Sequence, residues 1–139
     1  MEFVKSYGGR EKYFKRLNVK DCVVRAICNA TDEDYKEIYD RMRNKLIAYN
    51  IQRGRFNNNK KNSPRNGFPN TLTRDFIEKN LGWKWNEVKA QIDEYPFPDG
   101  IYLVQMKHHV TCIKDHVLYD SWDCQKGKNK NISGYWSRS

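Results

Sequence analysis

Apolar residues recur at helical spacing through the first two thirds of the chain and change to unbroken or alternating runs in the last third. Val23, Ala26 and Ile27 follow Asp21-Cys22 as the buried face of a short helix, with Asp21 in the N-cap position. Asn29-Ala30-Thr31 is expected to interrupt it. Thr31-Asp32-Glu33-Asp34, with an acid three residues after the threonine, reads as the capping box of a second helix. In that helix Tyr35, Ile38, Tyr39, Met42 and Leu46 repeat on one side, and Asp34, Lys36, Glu37, Asp40, Arg41 and Arg43 fall on the other. Leu72, Phe76, Ile77 and Leu81 mark a third helix closed by Gly82. Trp83 and Trp85 follow, and Asn86 to Ile92 is expected to add one or two helical turns.

From Gly100 the period changes. Gly100 to Met106 is an apolar run suited to a buried strand, while His109 to Ile113 and Val117 to Trp122 read as two strands joined by a tight turn at Asp115-His116. Ile132 to Trp136 adds a last short strand. Helices first and an antiparallel meander after them predict an α+β fold, with N-terminal helices packed on a C-terminal antiparallel sheet. A two-residue turn pairs Lys114 with Val117, Ile113 with Leu118, Cys112 with Tyr119 and Thr111 with Asp120. Side chains alternate faces, so His109, Thr111 and Ile113 share a face with Leu118, Asp120 and Trp122, and His109 becomes the diagonal neighbour of Asp120.

Two segments lack such patterning. Residues 1–17 form a basic leading segment bearing Phe3, Tyr7, Tyr13 and Phe14, broken by Gly8-Gly9 and expected to pack loosely. Residues 50–70 are basic, Asn-rich and nearly free of aliphatic side chains, the composition of a long surface loop. The 139 residues suit one domain, 1–139, with a single core. Four irregularly spaced cysteines, no charged-then-apolar leader and no apolar run of about 20 residues place the chain in a reducing cytoplasm, with free thiols and no membrane contact. The net charge of +9, from 26 Lys+Arg against 17 Asp+Glu, points to an acidic partner.

The charge does not name a chemistry, but Cys22 does. At a helix N-terminus, unpaired backbone N–H groups and the helix dipole favour thiolate over thiol. His109 with Asp120 supplies what such a sulfur needs: the carboxylate fixes one imidazole nitrogen and leaves the other for proton transfer. His108 points to the opposite face and is expected to be exposed. Asp123 is the runner-up orienter. Cys28, Cys112 and Cys124 read as buried hydrophobes, and no short Cys-x-x-Cys or His-x-x-x-His pair suggests zinc or another cofactor.

The order of cysteine on an N-terminal helix, histidine on a strand and aspartate on the next strand resembles the papain-like cysteine peptidase fold. More narrowly, Asp21 to Ala26, Leu81 to Trp85, His109 to Ile113, Tyr119 to Asp123 and Gly134 to Trp136 resemble small phage- and plasmid-encoded proteins assigned to that fold, from about Asn18 to Trp136. The resemblance implies Cys22 as nucleophile, His109 as general base, Asp120 as orienter, and a bacterial or phage-infected cytoplasm. The expected reaction is peptide or isopeptide hydrolysis, or a related acyl transfer, on a protein or peptide substrate of acidic character. Two departures stand out. No Gln precedes the cysteine, leaving Asn18 as the side chain for the oxyanion, and His116 occupies a turn position suited to Gly. The rival reading is a catalytically silent scaffold that binds nucleic acid or protein through Arg53, Arg55, Lys60, Lys61 and Arg65, with Phe56 to stack on a base. No nucleic-acid motif accompanies those charges.

Overall fold

Seven of the ten residues of helix α1, Cys22–Thr31, are buried, six of them apolar and the seventh Arg25, so the helix needs neighbours on most sides. It finds them in strands β3 (Ile101–Met106) and β4 (His109–Lys114), and in helix α2 (Tyr35–Gln52). In this computed structural model residues 1–54, 63–64 and 67–138 are described. The remaining elements are β1 (Glu2–Lys5), α3 (Asn70–Asp75, continued by a π-turn over Phe76–Asn80), β2 (Trp83–Gln91), β5 (Val117–Asp120) and β6 (Asn131–Arg138). Short 3-10 turns lie at Arg10–Lys12 and Cys124–Lys126. No helix among the described residues is long and apolar enough to cross a membrane.

The fold is α+β: among the described residues there are three helices and a six-stranded mixed sheet in the order β1-β5-β4-β3-β6-β2. The expected antiparallel sheet is corrected at one edge, where β1 runs parallel to β5 with Glu2 opposite Val117 and Lys5 opposite Asp120. The leading segment is therefore structural and does not pack loosely. Phe3 packs toward the sheet core, and Arg10 is 1% exposed.

The sheet is covered on both faces. One face carries Leu103, Val110, Cys112 and Trp136 against α1 and α2. The other buries Tyr102, Val104, Met106, Ile113 and Leu118 with Ile92, Phe97 and Cys124. Double-sided burial explains why β3 reads as a continuous apolar run and not as an alternation. On the second face Tyr95, Phe97, Tyr102 and Tyr135 form an aromatic group with centroids 4.7–5.7 Å apart.

The helical expectation for Asn86 to Ile92 is overturned, because Trp83–Gln91 is one strand paired with β6. A register shift between Glu87 and Ala90 breaks its alternation, and Trp83, Trp85 and Val88 suit a pleated surface. The helix boundaries also move. α1 runs on to Thr31, whose hydroxyl bonds back to the Ile27 carbonyl, and Asp32 ends it at φ 59°. The cap of α2 is Asp34, which accepts the Glu37 N–H at 3.2 Å. All five residues expected on the inner face of α2 are buried.

Candidate active site

Cys22 is the first residue of α1 and is half-buried. The residue before it does not cap the helix: Asp21 makes no side-chain cap bond. Its carboxylate, wholly buried, accepts instead from Arg25 and from the Tyr35 hydroxyl, and lies 3.7 Å from Arg10. Arg10 in turn donates to the Tyr35 hydroxyl at 2.8 Å and to the Arg16 carbonyl at 2.7 Å, and stacks over Phe14 at 4.4 Å. A Cβ on Gly8 would sit 2.9 Å from the Arg25 backbone, so the leading segment presses directly on α1. A buried ion cluster thus clamps the turn that carries the cysteine.

His109 opens β4 and Asp120 closes β5. The hairpin has the expected register, Cys112 opposite Tyr119, Ile113 opposite Leu118 and Lys114 opposite Val117. Asp115 and His116 both take left-handed conformations, φ 48° and 67°, as a two-residue type I′ turn requires. That register brings His109 Nε2 to 2.6 Å from Asp120 Oδ2. The other carboxylate oxygen accepts the Ser121 N–H at 2.7 Å, which fixes its orientation. Trp122 lies against the imidazole, centroids 5.4 Å apart.

The Cys124 sulfur lies within 4.8 Å of the ligating atoms of His109 and Asp120, and Cys22 lines the same cavity as the His109 ring. Burial works against a charged imidazole, but the bonds from Asp120, Cys124 and Cys22 and the charge of Asp120 outweigh it and raise the His109 pKa to about 11. His109 and Asp120, far apart from Cys22 in the chain, thus meet each other, and Cys22 shares a cavity with His109. With Nε2 engaged by Asp120, Nδ1 is the nitrogen left for proton exchange with sulfur. Cys28 and Cys112 lie in the core, and burial pushes each thiol up to about 12, which makes them poor nucleophiles at neutral pH.

Cys124 is the neighbour of the imidazole that sequence reasoning passed over. It is fully buried, as expected, but against the imidazole and not merely in the core. One signal was available: Asp-Cys occurs twice, at 21–22 and at 123–124. Asp123 does not orient His109. Its carboxylate caps the Cys124–Lys126 turn through the Gln125 N–H at 3.1 Å. His109, Asp120 and Cys124 bring their donor atoms within 4.8 Å of one another, a nitrogen–oxygen–sulfur set with the chemistry of a zinc site.

A cavity of about 730 Å³ opens over the cluster, lined by Cys22, His108, His109, Gln105, Trp122 and Asn18. Asn18 is therefore within the same space as the sulfur. His108 is exposed, as expected. Of the residues assigned to a nucleic-acid surface, Arg53 is exposed and rests over Tyr49 at 5.0 Å. Arg55, Phe56, Lys60, Lys61 and Arg65 lie outside the described residues. No family model, curated protein or solved structure matches the chain.

Proposed function

We propose that the protein is a papain-like cysteine hydrolase that cleaves peptide or isopeptide bonds through Cys22, His109 and Asp120. The observation that carries the reading is the bonding around one imidazole. Asp120 holds Nε2 at 2.6 Å, and Cys22, the residue that begins α1, lines the same open cavity as that ring. A buried ring that stays protonated at neutral pH is the counter-charge a sulfur anion needs before and during attack.

In the reaction the Cys22 sulfur forms a bond to the substrate carbonyl carbon, and the oxyanion is met by the Cys22 backbone N–H and the Asn18 amide. The C–N bond breaks and the departing amine takes its proton from His109. Water then gives a proton to the neutral imidazole and attacks the thioester carbonyl. The acid leaves, and the sulfur anion and protonated ring are restored. Asp120 holds the ring through each step. An amine entering in place of water would give acyl transfer at the same site.

Iodoacetamide labelling followed by mass spectrometry tests this. Cys22 is expected to react at neutral pH at least about tenfold faster than Cys28, Cys112 or Cys124, and His109→Ala is expected to slow that labelling selectively. Uniform, slow labelling of all four thiols would remove the basis for an enzyme and leave a basic α+β binding domain.

A further inference from the structure

Two cavities meet at the candidate site. The one over Cys22 and His109 shares Asn70, Gln105 and His108 with a second of about 820 Å³, bounded by the end of β2, the β3–β4 turn and the start of β6. The floor of the second is aliphatic, formed by the buried side chains of Met106 and Ile132. Its rim carries Lys89 and Lys107, and Glu94 is the one carboxylate among the described lining residues. Lys130, beside the cavity, is held by Asp93 at 3.1 Å, whereas Lys89 and Lys107 form no ion pair among the described residues.

His108 stands at the junction. It belongs to the two-residue turn between Met106 and His109, which are paired, and it has φ 57°. A side chain other than Gly or Asn adopts that conformation at a cost of about 1 kcal/mol. The tight β3–β4 turn calls for such a conformation and holds His108 between the two cavities.

From this arrangement we infer that the second cavity is a subsite for an acidic side chain of an extended polypeptide lying across Cys22. The inference rests on the peptidase reading and names its substrate class. A glutamate fits both parts of the cavity, with its aliphatic stem on Met106 and Ile132 and its carboxylate between Lys89 and Lys107. A polynucleotide fits less well. The floor offers aliphatic groups where base stacking needs an aromatic face, and the two lysines flank a pocket and do not track a backbone.

The test separates binding from chemistry. In the Cys22→Ala protein, fluorescein-labelled eight-residue peptides identical except for two Glu or two Gln are compared by fluorescence anisotropy at low salt. The Glu peptide is expected to bind about tenfold more tightly. That advantage disappears in the Lys89→Glu/Lys107→Glu protein, both positions being exposed, with the circular dichroism spectrum unchanged. Equal binding of the two peptides, or an advantage that survives the double substitution, overturns the subsite. So does displacement of the Glu peptide by an oligonucleotide that needs the same two lysines. Selective iodoacetamide labelling of Cys22 in the wild type and in the lysine variant reports on the catalytic reading separately. A protein that labels selectively but binds both peptides alike loses the subsite and keeps the nucleophile.

Discussion

Replacing Asp21 by alanine distinguishes two roles for one carboxylate. As a helix cap it would contribute about 1 kcal/mol. As the shared partner of Arg10, Arg25 and Tyr35, its loss strands two guanidinium groups whose side chains are 2% and 7% exposed. Breaking a buried pair from one side costs about 3–5 kcal/mol, a large part of the about 5–15 kcal/mol by which a domain is stable. An unfolding entropy of about 2.1 cal/mol/K per residue gives about 0.3 kcal/mol/K for 139 residues, so Tm falls by about 10–17 °C. Urea titrations of the wild type and Asp21→Ala measure this directly. Repeated in an Arg25→Met background, the same substitution should cost at least about 1 kcal/mol less, because one stranded cation has already gone. A loss near 1 kcal/mol that is equal in both backgrounds would mean that the carboxylate acts as a cap and that the cluster contributes little.

Three further outcomes follow from single features. His109 is raised from 6.5 to about 11 in the folded protein, so the native state keeps a proton that the unfolded chain releases. Its contribution is complete below about pH 6.5 and is lost as pH rises through about 11, by up to about 1.4 kcal/mol per pH unit between. Urea midpoints at pH 7, 8 and 9, measured in the Cys22→Ala protein so that no thiolate offsets the imidazole proton, should fall, and should fall less when Asp120→Asn is added; parallel slopes would refute the assignment. Gly134→Ala places a Cβ 2.4 Å from the Trp85 ring and 2.5 Å from the Asn86 carbonyl oxygen, so β2 and β6 must separate. A loss of at least about 2 kcal/mol is expected in the same titration. His116→Gly removes a left-handed non-glycine residue and only an exposed contact to Asp99, so stability should rise by about 0.5–1 kcal/mol; a decrease would show that contact to matter more than the turn.

What could be read from the sequence was local or periodic. The β4–β5 hairpin was legible because a two-residue turn fixes register, and register fixes which side chains meet; that alone put His109 beside Asp120. Helix α2 was legible from five apolar positions on one face. Strand β2 was not, because the shift between Glu87 and Ala90 changes the phase of its alternation midway. Strand β1 has four residues and a partner more than a hundred positions away, and no window along the chain contains both. Asp21 was misread for the same reason. Its place before a helix suggests a cap, and only the fold brings Arg10 and Tyr35 to it. Cys124 carries no periodic signal, and its closeness to His109 arises from the turn after β5.

The thiol and its proton partners are made far apart in time. About a hundred residues separate Cys22 from Asp120, so at synthesis rates of about 5–20 residues per second the sulfur leaves the ribosome about 5–20 s before the groups proposed to activate it. Through that interval the sulfur lacks the imidazole that the proposed reaction needs. On the peptidase reading, order of translation alone delays the reactivity.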